Sequence, residues 1–203
     1  MASTAVSPFA KSPAAKAWSV RSIERVDHDL QAVDVAQLSP AALRARFADP
    51  PAWQAEVVRE RPFMDRPPAQ AAVLVGIVTR AQPTVLLTRR TAHLSTHSGQ
   101  VAFAGGKCDP HDPDVASTAL REAHEEVGLA PEHVEVIGHL PEYITGSSFH
   151  VTPVVGLISP QMQLTPNPHE VDLAFEVPLA FLMNPAHHRW HVFEHNGVQR
   201  RWL

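Results

Sequence analysis

An α/β or α+β sandwich is the fold class this sequence predicts, on three observations. Short apolar, β-branched runs begin at Ala71, with "AAVLVGIVTR" and "TVLLTRR" first among them, and have the length of buried strands. One strongly amphipathic helix, within "DPDVASTALREAHEEVGL", stands among the strands instead of alternating with them, which argues against a regularly alternating parallel fold. The 203 residues, 44% of them apolar, suffice for one well-buried core plus an extension.

Residues 1–22 hold Lys11, Lys16 and Arg21 and no acid, the composition of an organelle transit peptide. Without an Arg-rich amphipathic pattern, a flexible N-terminal tail is the expectation. Residues 23–70 form an extension. In it "SPAALRARFADPP" predicts a short helix with Ser39 at the N-cap, Pro40 in the first turn and a stop at Pro50-Pro51, and "RPFMDRPPAQ" predicts a proline-rich linker. The folded domain covers 71–203. Its later strands are expected at "VEVIGHL", "VTPVVGLI" and "VDLAFEVPL", with a short helix after Pro178 and a hairpin around Asn196-Gly197, a dipeptide that supplies positive φ for a type I′ turn.

The internal helix carries the chemistry. Asp112 is the expected N-cap, Pro113 the first helical residue, Asp114 a partner for the positive end of the dipole, and Gly128 the stop. Val115, Ala116, Ala119, Leu120, Ala123 and Val127 share one apolar stripe. Glu122 and Glu126 lie about 40° apart along its edge, and Glu125 is offset to the same side. Like charges at this spacing repel, and half-sheltered carboxylates are costly to keep ionised alone. Arg121 reaches Glu125 at i+4 but cannot neutralise all three acids. A hard divalent cation is a natural partner, although three glutamates can also form a solvated acidic face. The preceding Gly105-Gly106 pair favours the cation, because glycines let backbone approach a ligand and offer a carbonyl to its oxygen shell.

Other function classes receive less support. The net charge of −4 gives no general attraction to nucleic acid or to anionic membranes, so a small-molecule partner is expected. No apolar run approaches the roughly 20 residues of a membrane span. The lone Cys108 excludes an internal disulfide framework and fits a reducing, cytoplasmic compartment; no activating pattern marks it as a nucleophile. His93 and His97 have the i, i+4 spacing of a zinc helix, but Leu94 stands where the glutamate should be. "GGKC" lacks the spacing and hydroxyl of a P-loop.

Gly106, Arg121-Glu122, Glu125-Glu126 and Gly128-Leu129 resemble the Nudix box, G-x5-E-x7-R-E-U-x-E-E-x-G-U with U aliphatic. Asp112 takes the first acidic position in place of Glu, and one extra residue separates it from Arg121. Upstream, "LLTRRTAHLSTHSGQVAFAGG" is similar to the signature L-L-T-x-R-[SA]-x3-R-x3-G-x3-F-P-G-G of the coenzyme A pyrophosphatase branch. Leu86, Leu87, Thr88, Arg90, Gly99, Phe103, Gly105 and Gly106 match; Thr91, Ser95 and Ala104 depart. Ser95 removes an arginine able to contact phosphate, and Ala104 frees a φ that proline would fix.

The resemblance implies a Nudix-type α/β/α sandwich with a mixed sheet and hydrolysis of a nucleoside diphosphate linked to another moiety. Coenzyme A or a derivative is the implied substrate, with 3′,5′-ADP and 4′-phosphopantetheine as products and Mg²⁺ or Mn²⁺ as cofactor. Glu122 and Glu126 are the expected metal ligands, and Glu125 a further ligand or the group that handles water. Arg121 would hold the carboxylates, Glu170 in "PNPHEVDL" would be a late-loop ligand or base, and Arg90, Gly99, Gln100, Phe103, Gly105 and Gly106 would face the nucleotide. The alternatives are a Nudix hydrolase for a dinucleoside polyphosphate or nucleotide sugar, and a Nudix-fold binding module without catalysis. The resemblance also implies a helix near the C-terminus that covers one side of the sheet. The sequence runs to "VQRRWL" without it, so a truncated form, a homodimer across the uncovered face, or a takeover by the "SPAALRARFADPP" helix is expected.

Overall fold

The structure, a computed structural model, describes residues 19–26, 30–55, 58–60, 67–92, 98–195 and 198–202. In chain order the elements are β1 (Ser19–Val26), a 3-10 turn at Val35–Leu38, α1 (Pro40–Ala48), β2 (Ala69–Val78), β3 (Thr84–Arg90), β4 (Val101–Ala102), β5 (Ala104–Lys107), α2 (Val115–Val127), β6 (Val134–His139), β7 (Tyr143–Ile144), β8 (Phe149–Ile158), β9 (Val171–Pro178), α3 (Leu179–Leu182), β10 (Arg189–His195) and β11 (Val198–Trp202). The main sheet runs β4-β3-β2-β8-β6, with β5 also on β2, β7 on β8 and β9 on β3. It is mixed. The β2–β8 pair is parallel, from Ala69↔Phe149 to Val78↔Ile158, and its other pairs are antiparallel.

Both central strands are apolar on both faces because each face is covered. On one face Ala72, Leu74 and Val78 of β2, Leu86 of β3, and Val154 and Ile158 of β8 pack against Ala119, Ala123 and Val127 of α2. On the other, Ile77, Val85, Val155 and Leu157 pack against Leu38, Leu43 and Phe47 from the N-terminal extension and against Leu179 and Leu182 of α3. The strand period of two therefore places Leu86, Thr88 and Arg90 on the α2 side. That alternation delivers a charged group at the end of β3 to the acidic helix.

The predicted extension helix forms as expected. Ser39 Oγ accepts from the Ala42 N–H at 3.3 Å, Pro40 opens the helix and Asp49 follows its last turn. Its position answers the expectation of an exposed sheet face. A Cβ on Gly138 in β6 would lie 2.7 Å from the Phe47 ring, and Arg44 makes a bidentate pair with Glu135 of the same strand. α1 covers the β6 end of this face, Leu43 and Phe47 packing on the second core.

Ser19–Val26 form β1, paired antiparallel with β10 in a small sheet β1-β10-β11. A strand whose partner lies so far along the chain leaves no local signature. The β10–β11 pairing meets at His195↔Val198, as a two-residue hairpin requires, while Asn196 and Gly197 lie outside the described residues. No helix among the described residues is long and apolar enough to cross a membrane.

Candidate active site

The acidic helix starts two residues later than its sequence predicts. Asp114, not Asp112, is the N-cap, its carboxylate accepting from the Ser117 N–H at 2.7 Å, and Val115 rather than Pro113 is the first helical residue. Asp112 has been drawn to Arg121. It accepts from Arg121 Nε at 3.0 Å and Nη2 at 2.9 Å, from the Asp109 N–H at 2.9 Å, and from the hydroxyl of the buried Thr118 at 2.8 Å. The Arg121 hydrogen bonds and the Asp109 amide hold the Asp112 carboxyl well below the usual carboxylate range.

Arg121 is the hub of this network. Its Nη1 donates to Glu122 Oε1 at 2.9 Å and to Glu125 Oε2 at 3.1 Å, and its Nη2 also donates to the Lys107 carbonyl at 3.2 Å. The guanidinium thus ties the glycine strand β5 to the helix. Glu125 lies on the outside, its side chain 57% exposed.

Glu122 and Glu126 point the other way, onto the glycines. A Cβ on Gly106 would stand 2.5 Å from the Glu122 carboxylate, and one on Gly105 would stand 2.6 Å from Val73 Cα of β2. The pair is glycine because a carboxylate and a neighbouring strand occupy the space of two side chains. Glu126 is only 4% exposed. Burial pushes its carboxyl up to about 7, against the opposing effects of Arg90 and the Gly105 N–H and with the help of Glu122 and Glu170. Glu122 is raised for the same first reason, burial, with Arg121 opposing.

Arg90 enters from β3 with Nη1 at 3.7 Å from Glu126 Oε1, and its buried Nε has no hydrogen-bond partner. Glu170 arrives on the loop before β9. Its charge acts on both Glu122 and Glu126, and its turn is hydrogen-bonded to the end of α2 through Asn167 N–H to the Glu126 carbonyl at 2.8 Å. Gly128, with φ of 69°, closes the helix; a Cβ there would meet Thr165 at 3.0 Å.

Arg90, Arg121, Glu122, Glu126, Glu170, Gly105 and Gly106 are therefore brought together. Gly99 and Gln100 lie beside Arg90 through the main chain, the Arg90 N–H donating to the Gln100 carbonyl and the Gly99 N–H to the Arg90 carbonyl. Phe103, between β4 and β5, instead packs with the core on the other face of the sheet. Ser95, His93 and His97 lie outside the described residues.

The donor set suits a hard divalent cation: carboxylate oxygens sheltered beside glycine backbone, two of them disfavoured as anions until a positive charge is shared. Among the described residues, no three acids, imidazoles or thiols already surround one point. The sequence missed Thr91 and Asn167, which hold the Glu170 turn through main-chain and hydroxyl contacts that no linear pattern marks.

A mixed-sheet sandwich that holds sheltered glutamates against a glycine pair is suited to share a divalent cation with an anionic ligand. The NUDIX domain family matches residues 68–202, and this chain belongs to the Nudix hydrolases. It is 45% identical over 147 residues to the uncharacterized Nudix hydrolase NudL of Shigella flexneri serotype 5b (strain 8401), covering 70% of this chain and 77% of that one. It is 56% identical over 110 residues to the NudL of Pectobacterium atrosepticum, covering 54% of this chain and 57% of that one. A crystal structure of the Nudix hydrolase RenU from M. Smegmatis is 28% identical, covers 54% of this chain and 70% of its own, and superposes with a TM-score of 0.47.

Proposed function

We propose that this chain hydrolyses the pyrophosphate linkage of coenzyme A or a derivative, releasing 3′,5′-ADP and 4′-phosphopantetheine. One observation carries the proposal: Arg90, from the signature that resembles the coenzyme A branch, reaches Glu126 of the Nudix box at 3.7 Å with a buried N–H unpartnered. Two motifs separated in sequence meet where a diphosphate oxygen and a metal would share charge. Glu122 and Glu126, with Glu125 as a further ligand, would hold Mg²⁺ or Mn²⁺, which when bound would supply charge neutralisation for the diphosphate and a more acidic water. The Arg90 guanidinium binds a phosphate oxygen, and Glu170 takes the proton of the attacking water or completes the cation's shell. Arg121 holds Glu122 and Glu125 in place while Asp112 anchors Arg121 from behind. In the reaction a water oxygen bonds to one phosphorus as the bridging P–O bond breaks, and the bridging oxygen leaves on the other phosphate. We place the hydrolase domain at 71–203, with 23–70 as an extension that covers the sheet.

The test is release of the two products from coenzyme A in ¹⁸O-labelled water, with Mg²⁺ or Mn²⁺ and with chelator. Metal-dependent release of both, with one ¹⁸O in a product phosphate, is expected. Cleavage of a dinucleoside polyphosphate or nucleotide sugar but not of coenzyme A would transfer the assignment to that substrate. No cleavage of any of them would favour a binding module.

A further inference from the structure

Thr91 stands directly after Arg90, at a position where the upstream signature carries Ser or Ala. It is buried, and both of its hydrogen-bonding groups go to one place. Its N–H donates to the Glu170 carbonyl at 3.0 Å and its hydroxyl to the His169 carbonyl at 3.2 Å. The same turn is tied on its other side, since Asn167 N–H donates to the Glu126 carbonyl at 2.8 Å and Thr165 N–H to the Val127 carbonyl at 2.8 Å. Within the turn, Asn167 O accepts from the Glu170 N–H at 3.0 Å, and Asn167 Oδ1 accepts from the His169 N–H at 3.1 Å. The β3–β9 register slips between Arg89↔Leu173 and Arg90↔Val171, so Asp172 is an extra residue where the chain leaves the turn into β9. The turn is therefore clamped between the end of β3 and the last carbonyls of α2, groups that a helix terminus otherwise leaves unpaired.

We infer that Thr91 is a positioning residue: its hydroxyl fixes the turn that sets the Glu170 carboxylate relative to Glu126. Adjacent residues of one strand then serve two sides of one site, with Arg90 facing Glu126 and Thr91 holding Glu170. The inference rests on the metal-site role proposed above for Glu170, not on the identity of the substrate.

The experiment uses the full chain with Mn²⁺ alone as probe, its free concentration followed by electron paramagnetic resonance, beside hydrogen exchange of the metal-free protein. Thr91→Val removes the hydroxyl at nearly constant shape, and Thr91→Ser restores it. The expected result is that Glu170→Gln weakens Mn²⁺ binding about tenfold and Thr91→Val at least threefold, while Thr91→Ser stays within a factor of about 1.5 of wild type. Added to Glu170→Gln, Thr91→Val should change affinity by less than about 1.5-fold, and it should speed exchange of residues 165–171 without affecting the interior of α2. An equal loss in both backgrounds, failure of Ser to restore binding, unchanged exchange of the turn, or a Glu170→Gln variant with wild-type affinity would each overturn the inference. Normal coupling in a protein that leaves coenzyme A intact would overturn the substrate proposal alone.

Discussion

The Glu122 carboxylate lies where the side chain of residue 106 would begin, 2.5 Å from an ideal Cβ on Gly106. The atoms that would clash are the far end of a flexible side chain, so Gly106→Ala should leave the fold standing and turn Glu122 away. The expected result is a loss of kcat of at least about tenfold with a melting temperature within a few degrees of wild type. Gly105→Ala should fail differently, because its Cβ meets the backbone of Ala72 and Val73. A loss of more than about 2 kcal/mol in unfolding free energy is expected there, from the strain it puts on the β2–β5 pairing. Urea denaturation of both variants distinguishes the two effects.

Glu126→Gln should reduce turnover below a tenth of wild type without loss of fold, since it removes charge with little change of shape. It should also change how metal-free stability depends on pH. In the unfolded chain this carboxyl ionises near about 4.3, whereas in the folded chain burial holds the proton up to about 7. The folded state binds more protons across that window, so this residue's contribution becomes less favourable as pH rises. Denaturation in chelator at pH 5 and pH 8 should show wild type losing stability relative to Glu126→Gln. An unchanged difference between the two proteins would remove burial as the dominant influence.

Asp112 should act with the opposite sign. Its folded-state pKa is depressed by Arg121 and the Asp109 amide, so its contribution is present above the ordinary carboxylate pKa and is lost as pH falls below it. Asp112→Asn should be less stable than wild type at pH 7, and the gap should shrink steadily below about pH 4. It should also slow turnover, because Arg121 loses the anchor behind Glu122 and Glu125. Thermal melts across pH, paired with one activity measurement at pH 7, check both statements.

Phe47→Ala should uncover part of the sheet. The ring is half-buried against Gly138, so a loss of about 1–2 kcal/mol in unfolding free energy is expected, together with increased binding of an apolar dye. Light scattering on wild type and variant supplies the companion measurement. Self-association that appears only in the variant would show that α1 keeps this face from pairing.

The longer strands of the main sheet, β2, β3, β6, β8 and β9, were legible because each is a short apolar run, whereas the short β4, β5 and β7 were not. The apolar stripe of α2 was legible for the same kind of reason, a local period. Its start was not. Asp112 has the chemistry of an N-cap, but a guanidinium nine residues on competes for it with two charge-assisted hydrogen bonds, and Asp114 takes the cap instead. Phe103 sits in a signature beside the glycines, yet between β4 and β5 it packs with the second core, which spacing alone did not reveal.

By itself the sequence determined the family, the acidic helix, the glycine pair and Arg90, because each is a residue type at a spacing that the backbone period converts into one face or one turn. Tertiary structure alone decided which carboxylates are sheltered. Glu125 and Glu126 are neighbours in sequence, and a rotation of about 100° leaves the first in solvent on Arg121 and sends the second under β5. It also decided that α1 packs on the second face of the sheet at β6, and that Thr91 and Asn167 tie the Glu170 turn to β3 and α2. Burial and long-range hydrogen bonds depend on which segments meet, and a linear pattern records only what is near in the chain.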